Sequence, residues 1–232
     1  ASILLGLIAW FVFEPRKAAA AGGLAIAAWL ILGAVAEVIE RVRLFRVGMP
    51  EVWRRTRALP LGAWGMTLAH IGLGVFVMGA VVETSFKLEQ ARPLGIGESL
   101  EIGDYRIRLD DVQIVEGPNY LSEQGSMTVM RRNGAAPRAI VAERRFFPTG
   151  GQTTTEIGLD FRGLDDVYVV MGERRATDTA DRAWTIRAYF NPWARLIFLG
   201  PMIMALGGVL SLLDRRLRLG ITTRRRSVAV TP

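Results

Sequence analysis

The sequence predicts a membrane α-helical protein with an inserted, periplasmic all-β domain, sandwich or barrel-like. Three observations predict it. Half of the 232 residues are hydrophobic, and they gather in long uninterrupted runs rather than in separated stripes. Two arginine-rich stretches flank a near-neutral middle. Across that middle, period-two alternation and turn signals replace the apolar runs.

The apolar runs come first. Residues 3–13 read as the tail of a helix, and residues 18–36 as a full span by the rule of about 20 apolar residues. Together, residues 1–36 are expected to hold one partial and one full transmembrane helix. The chain opens mid-run at Ala1-Ser2-Ile3 with no basic segment ahead of it, so it reads as a piece of a longer chain rather than as a signal peptide. Residues 64–82 form another run, interrupted by Thr67 and His70. Residues 193–213 form the last, with Pro201 inside it, which a membrane helix tolerates when neighbours satisfy the freed carbonyl.

Charge assigns the sides. Residues 37–63 carry Arg41, Arg43, Arg46, Arg54, Arg55 and Arg57 against Glu37, Glu40 and Glu51. The tail, residues 214–232, carries Arg215, Arg216, Arg218, Arg224, Arg225 and Arg226 against Asp214. Both stretches are expected in the cytoplasm by the positive-inside rule. Residues 83–192 hold 17 acids against 14 bases and are expected on the opposite face, the bacterial periplasm. The net charge of +7 is thereby spent on orientation and lipid headgroups, which removes the case for nucleic-acid binding. The chain has no cysteine, so disulfides, thiolate metal sites and covalent haem attachment to it are excluded.

Strands are expected over residues 100–104, 105–115, 126–132, 138–147, 153–159, 166–171 and 184–190. Tyr105-Arg106-Ile107-Arg108-Leu109 alternates cleanly, and Asn133-Gly134 marks a hairpin.

His70 is the most informative residue, the single histidine of the chain, about 9 Å into its helix at 1.5 Å per residue. An ionisable side chain inside a span is costly and faces a partner or a cavity. It reads either as a neutral imidazole bonded to a neighbouring helix, or as a metal or haem ligand, or as a proton relay. Small residues surround it at Gly65, Ala69, Gly72, Gly74 and Gly79, and recur at Gly200, Ala205, Gly207 and Gly208. Such faces let another backbone approach, and would also admit a flat macrocycle.

Other motifs carry bland readings. Gly117-Pro118-Asn119-Tyr120 is a turn whose aromatic is free to meet a partner. Tyr189-Phe190-Asn191-Pro192-Trp193 marks the passage back to the membrane, with Trp53 and Trp64 near the opposite interface. Asp165 and Asp166 are adjacent acids at a strand start, with no histidine or cysteine nearby to make them catalytic.

Trp64-Gly65-Met66-Thr67-Leu68-Ala69-His70-Ile71-Gly72 resembles the late membrane segment of the CcmF family, the haem lyase subunit of bacterial cytochrome c maturation. The likeness continues in order through Gly117-Pro118-Asn119-Tyr120, Arg145-Phe146-Phe147-Pro148, Asp166-Val167-Tyr168, Tyr189-Phe190-Asn191-Pro192 and Met204-Ala205-Leu206-Gly207-Gly208. It departs at Leu196-Ile197-Phe198, where tryptophans are common in the family.

The resemblance implies a role in joining haem to apocytochrome c, in the bacterial inner membrane. It implies that His70 falls where the second of two transmembrane histidines holds the iron of a b-type haem. The first of those histidines, and the two periplasmic ones, have no counterpart among these residues. The implied partners are the N-terminal remainder of the lyase, the haem chaperone CcmE, CcmH or CcmI type subunits that present the thiols, and apocytochrome c. Two other readings stand beside it: a non-catalytic membrane-anchored docking module, and a haem-export or transport component. The second is disfavoured by the lack of a broken-helix pair or an intramembrane carboxylate.

Overall fold

The computed structural model describes residues 18–175 and 183–214. The run at residues 3–13 and the basic tail beyond Asp214 lie outside the described residues. The chain divides into two compact units, Ala1–Met78 with Leu196–Pro232, and Gly79–Arg195.

The first unit is helical. Its helices are α1 (Ala18–Val42), α2 (Met49–Ala58), α3 (Leu61–Phe86) and α4 (Leu196–Leu213). Among the described residues, α1, α3 and α4 are long and apolar enough to cross a membrane. Helix α2 lies within the basic stretch, residues 37–63, where a loop is expected. It is short and polar, and its turns are tied by Glu51, which accepts hydrogen bonds from Arg54 at 2.7 Å and Arg55 at 2.7 Å.

Glycines bring the helix backbones together. A Cβ added to Gly207 on α4 would meet the Gly65 carbonyl at 2.5 Å, and one on Gly200 would meet the Gly72 carbonyl at 2.6 Å. A Cβ on Gly74 would meet the Ala27 carbonyl of α1 at 3.0 Å. Where lipid removes the hydrophobic drive between helices, this closeness supplies the packing contacts. The N-terminus of α3 is closed by Asp214, whose Oδ2 accepts the Gly62 N–H at 2.8 Å. A carboxylate there satisfies an orphan amide and meets the positive end of the helix dipole.

The second unit is an antiparallel β-sandwich, as the alternation predicted. Nine strands are described: β1 (Leu88–Leu94), β2 (Ser99–Ile102), β3 (Tyr105–Glu116), β4 (Leu121–Arg131), β5 (Arg138–Phe147), β6 (Gln152–Glu156), β7 (Gly158–Arg162), β8 (Asp165–Arg175) and β9 (Ala183–Asn191). One sheet runs β1-β9-β8-β7 and the other β2-β3-β4-β5-β6. Alternate residues fill the core: Tyr105, Ile107 and Leu109 of β3 meet Val167, Val169 and Met171 of β8 and Trp184, Ile186 and Ala188 of β9. Gly125 makes room, since a Cβ there would meet the Met171 sulfur at 2.8 Å.

The single strand expected over residues 153–159 is two strands. The run bends at Ile157 and changes sheets, pairing with β5 as β6 and with β8 as β7. Gly158 permits the change, because a Cβ there would meet the Val141 carbonyl of β5 at 3.0 Å. Strand β1 was not anticipated. It carries Glu89, Arg92 and Pro93 and buries only Leu94, so it lacks the apolar alternation that reveals a strand.

Candidate functional site

Three faces of α3 have different neighbours. Gly65, Ala69, Gly72 and Phe76 lie toward α4, at intervals of four, three and four. Gly74 lies toward Ala27 and Ile31 of α1. The remaining stripe is Met66, His70 and Leu73, spaced i, i+4, i+7, and all three are exposed. The structure therefore keeps His70 out of both helix contacts and presents it on a bare apolar stripe.

The imidazole is oriented from its own helix. Nδ1 lies 2.8 Å from the Met66 carbonyl oxygen. A carbonyl only accepts, so Nδ1 carries a proton in this contact, and in the neutral imidazole the lone pair is then on Nε2. That is the tautomer and orientation a metal-ligating histidine needs, with a backbone carbonyl as the orienting group. The nearby hydroxyl of Thr67 is already spent, donating to Ala63 O at 3.0 Å. Among the described residues, no group of three or more His, Asp or Glu side chains could hold a bare metal ion. An imidazole with this orientation on an apolar stripe has the chemistry to ligate a haem iron.

The other singled-out residues have structural work in the sandwich. Asp165 Oδ1 accepts the Trp193 N–H at 3.0 Å, and Asp166 Oδ1 accepts from Arg195 Nε at 3.3 Å. They fasten the turn after β9, where Trp193 holds a left-handed φ of 55°. Burial pushes the Asp166 carboxyl up, against the lowering pull of Arg195. Tyr189 stacks on Tyr168 with ring centroids 4.5 Å apart, and its hydroxyl donates to Glu89 at 3.2 Å. Tyr120 folds back over Gly117, under the Arg145 guanidinium at 4.7 Å and beside Phe147 at 5.5 Å. The Gly117–Tyr120 turn and the Arg145–Pro148 stretch, far apart in sequence, thus meet at one end of the sandwich.

One cluster escaped the sequence reading. Asp160, 3 % exposed, accepts from Arg162 Nε at 2.6 Å and from Arg138 at 3.2 Å. Arg162 also donates to Ala136 O at 3.1 Å and Val129 O at 3.3 Å, so the pair ties the two sheets together. No local pattern announces it, since its members come from β4, β5, β7 and a loop.

These features define a membrane protein whose helices bracket a β-sandwich in sequence. Residues 85–192 match the family described as the CcmF C-terminal beta-sandwich. The chain belongs to the CcmF family and corresponds to its C-terminal region. It is 35 % identical to the cytochrome c-type biogenesis protein CycK of Rhizobium meliloti, over 97 % of this chain and 32 % of that protein. It is 31 % identical to the cytochrome c-type biogenesis protein CcmF of Escherichia coli, again over 97 % of this chain and 32 % of the relative. A solved structure, Cytochrome c Heme Lyase CcmF, shares the fold with a TM-score of 0.59 at 17 % identity, covering 91 % of this chain and 33 % of that one. The chain spans about a third of the length of the curated relatives it matches.

Proposed function

We propose that this chain is the C-terminal portion of a cytochrome c haem lyase, in which His70 supplies one axial ligand to a transmembrane b-type haem. The observation that carries the reading is the His70 geometry. Nδ1–H is fixed on Met66 O at 2.8 Å, and Nε2 is left free on an exposed apolar stripe.

The chain holds one histidine, so a second histidine ligand would come from a segment outside these residues. The haem, when bound, supplies one-electron chemistry, suited to delivering an electron to the haem being attached. This chain's residues hold and orient one side of it. The positive-inside rule supports cytoplasmic 37–63 and 214–232, a periplasmic sandwich at 83–192, and an inner-membrane location. The sandwich would dock the partners of thioether formation: the haem chaperone CcmE, CcmH or CcmI type subunits, and apocytochrome c.

The test is to produce the chain together with the N-terminal remainder of the lyase and record the reduced haem spectrum. His70→Ala is expected to lose the b-type absorbance while protein level is kept. Wild-type haem content in that variant would instead support a docking module in which His70 only packs.

A further inference from the structure

Helix α2 is amphipathic in a particular way. At about 3.6 residues per turn, Val52, Met49 and Trp53 share one face. Arg55 and Arg57 flank that face, and Glu51 and Arg54 lie on the back. The protein covers only part of the apolar face. Val52 is buried, whereas Met49 is 70 % exposed and Trp53 59 %. Phe45, in the turn ahead of the helix, is 89 % exposed.

Connectivity says what lies beside these side chains. Helix α1 ends at Val42 and α3 begins at Leu61, and both are long and apolar enough to cross a membrane. Leu59 and Pro60 alone separate α2 from α3, a reach of at most about 7 Å. Helix α2 is thereby held at the level where α3 leaves the bilayer. Charge says which lipid. Arg54 and Arg55 are paired with Glu51. Among the described residues, Arg43, Arg46 and Arg57 have no carboxylate partner. The Arg57 guanidinium lies over the Trp53 ring, 4.7 Å from its centroid. A helix with a bare apolar face and unpaired arginines at its rim suits the plane of an anionic membrane surface.

We infer that α2 is an interfacial helix that gathers anionic phospholipid around itself. Phe45, Met49 and Trp53 enter the boundary between headgroups and acyl chains. Arg57, set over the indole, meets the headgroup phosphate, and Arg43 and Arg46 add to the charge that favours an anionic lipid over a zwitterionic one. This site is independent of His70 and stands whether or not the haem reading holds.

The test uses the complete protein in phosphatidylcholine vesicles that carry a minor fraction of either phosphatidylglycerol or phosphatidylcholine brominated near the top of its acyl chains. Bromine quenches tryptophan on contact, and the wild-type signal minus that of Trp53→Phe isolates Trp53 from the other tryptophans. Trp53 is expected to be quenched, and more strongly by the brominated phosphatidylglycerol. Arg57→Gln, an exposed substitution that leaves Val52 in place, is expected to lower that preference about fivefold, the contribution of one arginine at an anionic surface. A Trp53 signal untouched by either lipid would mean that protein covers this face and would overturn the proposal. Equal quenching by the two lipids, or an undiminished preference in the folded Arg57→Gln variant, would overturn it as well.

Discussion

Asp214 and Gly62 stand 152 positions apart in sequence, yet the Asp214 carboxylate accepts the Gly62 N–H at 2.8 Å. The residue that follows α4 thereby caps α3, the helix that carries His70. Asp214→Ala is expected to cost about 1–2 kcal/mol, a typical loss for a helix N-terminal cap. Asp214→Asn should cost less, because an amide oxygen keeps the bond and loses only the charge at the dipole. Thermal unfolding of the purified protein in detergent measures both.

The α3–α4 contact is intolerant of a single methyl group. A Cβ on Gly72 would meet Gly200 O and Met204 N, each at 2.7 Å, so Gly72→Ala is expected to destabilise by about 1–3 kcal/mol. Gly208 on α4 has nothing within 4 Å of such an atom. Gly208→Ala should therefore stay within about 0.5 kcal/mol of wild type, and denaturant titrations of the two variants separate packing from composition.

Inside the sandwich, Asp160→Ala leaves Arg162, its side chain 9 % exposed, without its carboxylate. Breaking a buried pair on one side costs about 3–5 kcal/mol, and circular dichroism on heating is expected to show a large fall in the midpoint. Arg162→Lys should also destabilise, since one ammonium cannot reach Asp160, Ala136 O and Val129 O together as the guanidinium does.

At the other end of the sandwich, Glu143 accepts from Arg145 at 2.8 Å and from Ser122 at 3.1 Å. The Arg145 bond, aided by Ser122, holds its carboxyl below the usual range despite burial. A depressed acid stabilises above its unfolded pKa, about 4.3, and that stabilisation fades as pH falls through the folded value. Glu143→Gln should thus be less stable than wild type at neutral pH. The gap should close below about pH 4, in parallel melts across pH.

Much of the fold was legible because its periods are simple. Uninterrupted apolar runs announced the helices, and the alternation of Tyr105 to Leu109 announced β3. The missed elements lack those periods. Helix α2 has four charged residues in ten and no long apolar run, and β1 is an exposed edge held by pairing with β9. The bend at Ile157 depends on how closely Gly158 approaches β5, which is a tertiary fact. His70 was legible as an oddity because a lone imidazole in a span has few excuses. Its stripe was not, since that depends on which faces Gly65, Gly72 and Gly74 give to α4 and α1. The Asp160–Arg162–Arg138 tie stayed hidden for the same reason.

The central claim is that Nε2 of His70 binds iron, and chemical rescue tests it most directly. His70→Gly, produced with the N-terminal remainder of the lyase, is expected to lose the low-spin b-type spectrum. Imidazole added to the purified variant is expected to restore it, by filling the ligand position the glycine vacates. A His70→Gly protein that keeps its full b-type spectrum without imidazole would contradict the account.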